Sequence, residues 1–199
     1  MGLYYNIIIH IVHAGAPGSG KSTLSNDLLA AIPDSVVVPM DGFHYYREEL
    51  DKFEDPVEAH RRRGAHWTFN AEKFVSCVSE ARRSECGVFP SFDHAAKDPK
   101  ENSIEVKPSH KVVIVEGLYL LLDTPPWNSI KDLLDVTIFL DCPEEELKRR
   151  LVKRHMASMG LSAEEALDRV VGSDLINAIE VMACNDRADC VICGDMLSV

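Results

Sequence analysis

The chain has 199 residues, 46% hydrophobic and 27% charged, with 32 acidic against 21 basic side chains and a formal net charge of −11. Those proportions suit a single globular domain, residues 1–199, with room for a lid or a small insertion, and they exclude a disordered chain. So acidic a chain is not held on nucleic acid by bulk electrostatics, and no apolar run approaches the roughly 20 residues that span a bilayer.

The opening MGLYYNIIIH lacks the basic region, long apolar core and small-residue cleavage site of a secretory signal. Gly2 invites myristoylation, but Asn6 stands where Ser or Thr is required. IIIHIVHAG (7–15) is a β-branched run that reads as a strand. It is followed at once by GAPGSGKST (15–23), which fits G-x-x-x-x-G-K-[ST] at Gly15, Gly20, Lys21 and Ser22, between a strand and a helix. Glycines let Gly15, Ala16, Pro17, Gly18, Ser19 and Gly20 curl with their N–H groups inward around a polyphosphate, and the helix starting near Lys21 adds its dipole. In such a cradle Lys21 reaches the β- and γ-phosphates, Ser22 ligates Mg²⁺, and Thr23 completes the loop.

SNDLLAAI (25–32) has helical spacing, and VVVPM (36–40) is a second strand. Asp41 follows where that strand runs out. If the strand lies beside the one that enters the phosphate loop, the Asp41 carboxylate opens toward the γ-phosphate and can take a proton from an attacking hydroxyl. The plainer reading is a turn aspartate, because Asp-Gly is an ordinary turn pair. A polar stretch to about 69 carries Arg61-Arg62-Arg63, His44, Trp67 and Phe69, and NAEKFVSCVSEARR (70–83) is an amphipathic helix.

HKVVIVEGLYLLL (110–122) reads as a buried strand whose Glu116 either holds magnesium or ends the strand in solvent. DVTIFLDC (135–142) is another strand. PEEELKRRLVKRHMASM starts a helix with Pro143 in its first turn and Leu147 and Leu151 on one face. Five bases within seven residues (148–154) admit two readings. One is a solvated face with pairs Glu144–Lys148, Glu145–Arg149 and Glu146–Arg150. The other is a lid, about 143–160, whose Arg150 and Arg154 close over a nucleotide and neutralise the transferring phosphoryl. ADCVIC (188–193) is a last short strand. Its Cys190 and Cys193 have half a zinc spacing, but alternation points them to opposite faces, so the six cysteines read as buried free thiols of a reducing compartment, the cytoplasm. Apolar strands alternating with helices indicate an α/β fold with a parallel sheet covered on both faces, and ligands at the C-terminal edge of its strands.

GAPGSGKST, PMDGFH, RRRGAHWTFNAEKF, FPSFDHAAKDP, VVIVEGLYLLL and FLDCPEEELKRRLVKRH together resemble the P-loop kinases that include uridine kinase, phosphoribulokinase and bacterial-type pantothenate kinase. The likeness is greatest to the branch labelled uridine kinase-like or fructokinase-like, and it covers most of residues 11–195. It implies a P-loop NTPase fold with a helical lid, ATP and Mg²⁺ as cofactors, and a small hydroxyl acceptor as partner. It implies Asp41 as catalytic base, and an acceptor region of about 41–100 shaped by Arg62, Gly64, Trp67, Phe69 and Asp93. His44 is either a substrate contact or a histidine satisfied by backbone. Trp67 and Phe69 are either core residues or an apolar wall for the acceptor. His94 and Asn70 stand where many relatives carry Arg and Asp. A nucleoside monophosphate kinase also suits GAPGSGKS, but its phosphate acceptor needs arginines rather than a carboxylate base. A GTPase switch would want an NKxD motif, which NDRAD (185–189) does not supply. No nucleic-acid or membrane partner is expected; oligomeric state is not legible, and a homodimer is compatible.

Overall fold

The computed structural model describes residues 9–193. The first two residues expected in the opening strand, the reading of Gly2 and Asn6, and the closing GDMLSV lie outside them. In chain order, β1 (Ile9–Gly15), α1 (Lys21–Ala31) and β2 (Ser35–Pro39) lead into two short helices, α2 (Arg47–Leu50) and α3 (Pro56–Arg61). Then come α4 (Ala71–Ser84), the strands β3 (Gly87–Asp93) and β4 (Asp98–Val106), β5 (Val112–Gly117) and β6 (Val136–Asp141). The chain continues through α5 (Glu144–Met159), α6 (Ala163–Arg169), α7 (Leu175–Met182) and β7 (Cys190–Cys193).

Five strands pair in parallel in the order β2-β5-β1-β6-β7, and helices flank the sheet. The condition attached to Asp41, that its strand lie beside the phosphate-loop strand, is not met: β5 lies between them. The reason is burial. Val112 to Val115 are four consecutive buried residues, which is what a strand covered on both faces and paired on both edges requires. β2 takes the sheet edge, where its Pro39 removes no ladder hydrogen bond. Pro39 is in register with Glu116, and Glu116 with His13. The end of β5 is therefore level with both the start of the phosphate loop and the approach to Asp41.

Three other expectations need correction. The strand read over 110–122 stops at Gly117, because Met40 crosses there: a Cβ on Gly117 would lie 2.5 Å from that of Met40. Leu118 to Leu122 turn away from the sheet, and Leu120, Leu121 and Leu122 remain buried. Residues 90–100, read as loop, belong to an antiparallel β3–β4 hairpin separate from the parallel sheet. Of the cysteines, only Cys142 and Cys184 are buried, while Cys86, Cys190 and Cys193 are exposed, since β7 is an edge strand with an exposed face.

The main core joins Phe43, Phe69, Phe74, Phe89, Tyr119 and Trp127 to the sheet residues Val38, Val115 and Phe139. α4 contributes Phe74, Val78 and Ala81 from one face, and Asn70 caps it by accepting the Lys73 N–H at 2.9 Å. A smaller cluster of Ala16, Leu147, Leu151, Val170, Leu175 and Ala178 ties α5 and α7 to the phosphate loop. Each fully buried leucine or valine among them contributes roughly 1.5–3 kcal/mol. Among the described residues no helix is long and apolar enough to cross a membrane.

Candidate active site

The loop between β1 and α1 is a closed cradle. Gly18 and Gly20 have φ of 81° and 102°, the left-handed region in which a side chain would be strained. Gly20 caps α1 without any side-chain hydrogen bond, and the first turn of α1 contains no acid. The opening N–H groups of that helix thus have no side-chain carboxylate to compete with an anion. A Cβ on Gly15 would lie 2.8 Å from both the Leu140 carbonyl oxygen and Ser19 Oγ, so the loop has no room for one. Ser19 Oγ is buried without a hydrogen-bond partner, as expected of a group that bonds a ligand. Ser22 is exposed, and Thr23 half-buried.

Lys21 is buried and donates to the Ala16 carbonyl at 3.0 Å, closing the loop on itself. Burial pushes its ammonium pKa down; the charges of Glu116 and Asp41 oppose that shift, and Arg154 adds to it. Burial raises the Glu116 carboxyl, Lys21 pulls it back, and Asp41 raises it further. These mutual effects bring Lys21, Glu116, Asp41 and Arg154 into one electrostatic neighbourhood at the C-terminal edge of the sheet. Asp41 lies in a 3₁₀ turn, Met40–Phe43, and is exposed, while Met40, Gly42 and Phe43 anchor the turn in the core.

His44 has the backbone contact of its plainer reading. Its Nδ1 bonds the Asp41 carbonyl at 2.9 Å and its ring lies 3.9 Å from that of Phe69. Burial lowers its pKa against the raising effect of Asp41. Phe69 is a core residue, but Trp67 is not: it is 38% exposed, with the Phe53 ring 6.3 Å away. Asp93 sits at the hairpin turn, where its Oδ1 accepts the Ala95 and Ala96 N–H groups at 2.8 and 3.0 Å; those bonds lower its pKa. The three arginines separate. Arg61 binds Glu58, and Arg63 binds Asp98 and the carbonyls of Tyr45 and Lys97. Arg62 donates to Asn177 Oδ1 of α7 at 2.9 Å.

α5 packs directly over the phosphate loop, with Leu151 against Gly18. Arg150 bonds Glu146 at 2.7 Å and reaches the Gly18 carbonyl at 3.4 Å. The expected Glu146–Arg150 pair is present, but Arg149 turns to Glu146 rather than Glu145, and the two guanidiniums hold the Glu146 carboxyl at about 2. Arg154, one turn on, is exposed.

Sequence reasoning missed Tyr119, which donates to the Gly64 carbonyl at 2.7 Å and pins the acceptor loop to the end of β5. It also missed a polar stripe on the α6–α7 side: Asp174 with His155 at 2.8 Å, Asn177 with Arg62, and Glu180 with His66 at 2.9 Å. Asp174, Asn177 and Glu180 recur every third residue in an otherwise apolar run, a pattern that could have flagged them.

A strand-to-helix phosphate cradle, with a buried lysine and carboxylates at the ends of the next two strands, defines a P-loop phosphotransferase. The chain belongs to the phosphoribulokinase / uridine kinase family, whose model matches residues 8–193, and with it to the phosphotransferases whose acceptor is an alcohol group. It is 42% identical over 174 residues, 82% of this chain and 74% of the other, to a Schizosaccharomyces pombe protein provisionally named uridine kinase C227.14. It is 34% identical over 201 residues to the ATP-dependent kinase YFH7 of Lachancea thermotolerans, covering 82% of this chain but only 56% of that longer protein. Among solved structures it superposes with a TM-score of 0.87 and 37% identity on a Silicibacter protein provisionally described as a fructose transport system kinase, covering 96% of this chain and 93% of that one.

Proposed function

We propose that this chain transfers the γ-phosphoryl group of Mg-ATP to a hydroxyl of a small metabolite, with Asp41 as general base. The observation that carries the reading is geometric: Lys21 is buried at the start of α1 beneath a glycine cradle, and the register of β2, β5 and β1 brings the approach to Asp41, Glu116 and the start of the cradle level at one sheet edge. The acceptor hydroxyl lies between Asp41 and the terminal phosphate. Asp41 orients it and accepts its proton as its oxygen bonds to phosphorus and the bond to the β-phosphate bridging oxygen breaks. Lys21 and the cradle N–H groups stabilise charge on the phosphate oxygens, and Arg150 and Arg154 on α5, acting as a lid, neutralise the equatorial oxygens.

Ser22 and Glu116 would hold Mg²⁺; one hydroxyl and one carboxylate supplemented by phosphate oxygens suit a cation that retains several waters. When bound, the ion offsets charge between the β- and γ-phosphates. The acceptor pocket draws on Asp41, His44, Arg62, Trp67 and Asp93, with Phe69 acting through the His44 ring it supports. One relative bears the name of a uridine kinase and another that of a fructose transport system kinase, and the acceptor is a nucleoside, a sugar or a pantothenate-like alcohol.

Two substitutions test the reading. Lys21→Ala abolishes transfer. Asp41→Asn retains ATP binding, measured by titration calorimetry, and reduces turnover by roughly 10²-fold or more. Wild-type turnover in Asp41→Asn would remove Asp41 as the base.

A further inference from the structure

We infer that the acceptor carries an anionic group, a carboxylate or a phosphate, that pairs with Arg62. The inference rests on the kinase reading and narrows its acceptor class. Five arginines among the described residues are at least partly buried: Arg62, Arg63, Arg82, Arg150 and Arg187. Four of them hold a carboxylate: Arg63 takes Asp98, Arg82 takes Asp135, Arg150 takes Glu146 and Arg187 takes Asp123. Arg62 has no carboxylate within ion-pair distance among the described residues. Its one side-chain bond is the 2.9 Å contact to the neutral Asn177, and its Nε is buried without a partner. Glu58 feels the Arg62 charge without bonding it, so the half-buried guanidinium has no directly bonded counter-charge, a cost recovered when an anion completes the fork.

The surroundings keep that position open to an anion. Glu58, on the preceding turn, is occupied by two bonds from Arg61. The acids of the α7 side are also taken, Asp174 by His155 and Glu180 by His66. Asn177, itself buried, fixes one end of the guanidinium and leaves the rest of the fork unengaged. Arg62 and Asp41 are tied to the same strand end: Tyr119 donates to the carbonyl of Gly64, two residues after Arg62, and Gly117, two residues before Tyr119, packs against Met40, the neighbour of Asp41. An acceptor anchored through its anion at Arg62 extends its hydroxyl toward Asp41, which gives the site a cation at one end and a base at the other. A neutral sugar or nucleoside would leave the Arg62 charge uncompensated in the complex.

The test is ADP release with Mg-ATP and acceptor pairs in which an anionic group replaces a neutral one on the same open chain or sugar: glycerate and glycerol, gluconate and glucitol, ribulose 5-phosphate and ribulose. The first two pairs report a carboxylate and the third a phosphate. The expected result is kcat/KM at least about tenfold higher for the charged member of one pair. In Arg62→Gln the KM for that acceptor rises by about ten- to a hundredfold while the KM for ATP stays unchanged, and Arg62→Lys recovers part of the loss. Should Arg62→Gln fail to fold, the preference of the unaltered enzyme within the pairs decides alone. Equal or better use of the neutral members, or an acceptor KM that Arg62→Gln does not move, overturns the inference and leaves the kinase reading standing. No transfer to any of the six, nor to uridine or pantothenate, by protein that still binds Mg-ATP overturns both.

Discussion

Replacing Gly42 with alanine tests how the candidate base is held. Gly42 follows Asp41 in the turn that closes β2, and a Cβ there would lie 2.2 Å from the Pro90 carbonyl oxygen and 2.6 Å from its carbon. The obstacle is β3 backbone, so no rotamer change relieves it; turn and hairpin must separate by about 1 Å to reach ordinary contact. Neither side yields easily. The turn is fixed by Asn70 N–H to Phe43 O at 2.8 Å and Tyr45 N–H to Thr68 O at 3.0 Å, and Phe43 packs on Phe74 and Phe89. The hairpin is fixed by its own ladder. Overpacking of this kind costs roughly 1–3 kcal/mol, which in a chain of this length lowers Tm by about 2–12 °C. A displacement of about 1 Å at a reacting group costs on the order of 10²-fold in kcat. Thermal melts and steady-state ADP release measure the two effects. ATP affinity should be near that of the unaltered protein, because the cradle hangs from β1 and α1. A Gly42→Ala protein with unchanged Tm and kcat would refute the argument that the hairpin seats Asp41.

Glu116→Gln separates stability from function. The folded-state pKa of Glu116 lies above its unfolded value, so its charged form is disfavoured by folding: the penalty is absent below the unfolded pKa and is felt in full once pH exceeds the folded one. Glu116→Gln should therefore melt higher than the unaltered protein at pH 8, with the gap closing below about pH 4.5, while Mg²⁺-dependent turnover falls; an equal or lower Tm at pH 8 would contradict this. Arg154→Ala should raise the KM for ATP by about threefold to tenfold and leave the acceptor KM alone, as removal of a charged phosphate contact does; unchanged constants for both would pass the lid role to Arg150.

What the sequence made legible follows from how local each signal is. The cradle is a single run, GAPGSGKST, whose glycines dictate their own backbone, so its place between β1 and α1 could be read directly. The β-branched cores of β2, β5 and β6 were equally plain, with ends displaced by a few residues. Strand order was harder, because an apolar run states that a strand is buried without naming its neighbours; the central place of β5 emerges only from packing. The β3–β4 hairpin escaped notice because Phe89, Phe92 and Ile104 are too sparse among polar residues to show alternation. Trp67 and Phe69 were left open between core and exposed wall for a related reason: aromatic rings report large area, and sequence alone does not say which way that area faces. Most opaque of all were pairs more than a hundred residues apart, Arg62 with Asn177 and His66 with Glu180, which no local pattern connects.

The segment EGLY, residues 116–119, relates the donor half of the site to the acceptor half. Glu116 faces Lys21 and Asp41, Gly117 admits Met40 and thereby places the turn carrying Asp41, and Tyr119 holds the Gly64 carbonyl and with it the arginine run. All three act from the end of one interior strand whose Val112–Val115 are buried. Separation between the cradle, Asp41 and the loop of residues 61–70 is thus set by the strand end. On the proposed reading, a change at Arg62 or Asn177 alters which acceptor is held without moving Lys21 against Asp41. Phosphoryl transfer is accordingly legible in short motifs, while the identity of the acceptor is written in contacts between segments far apart in the chain.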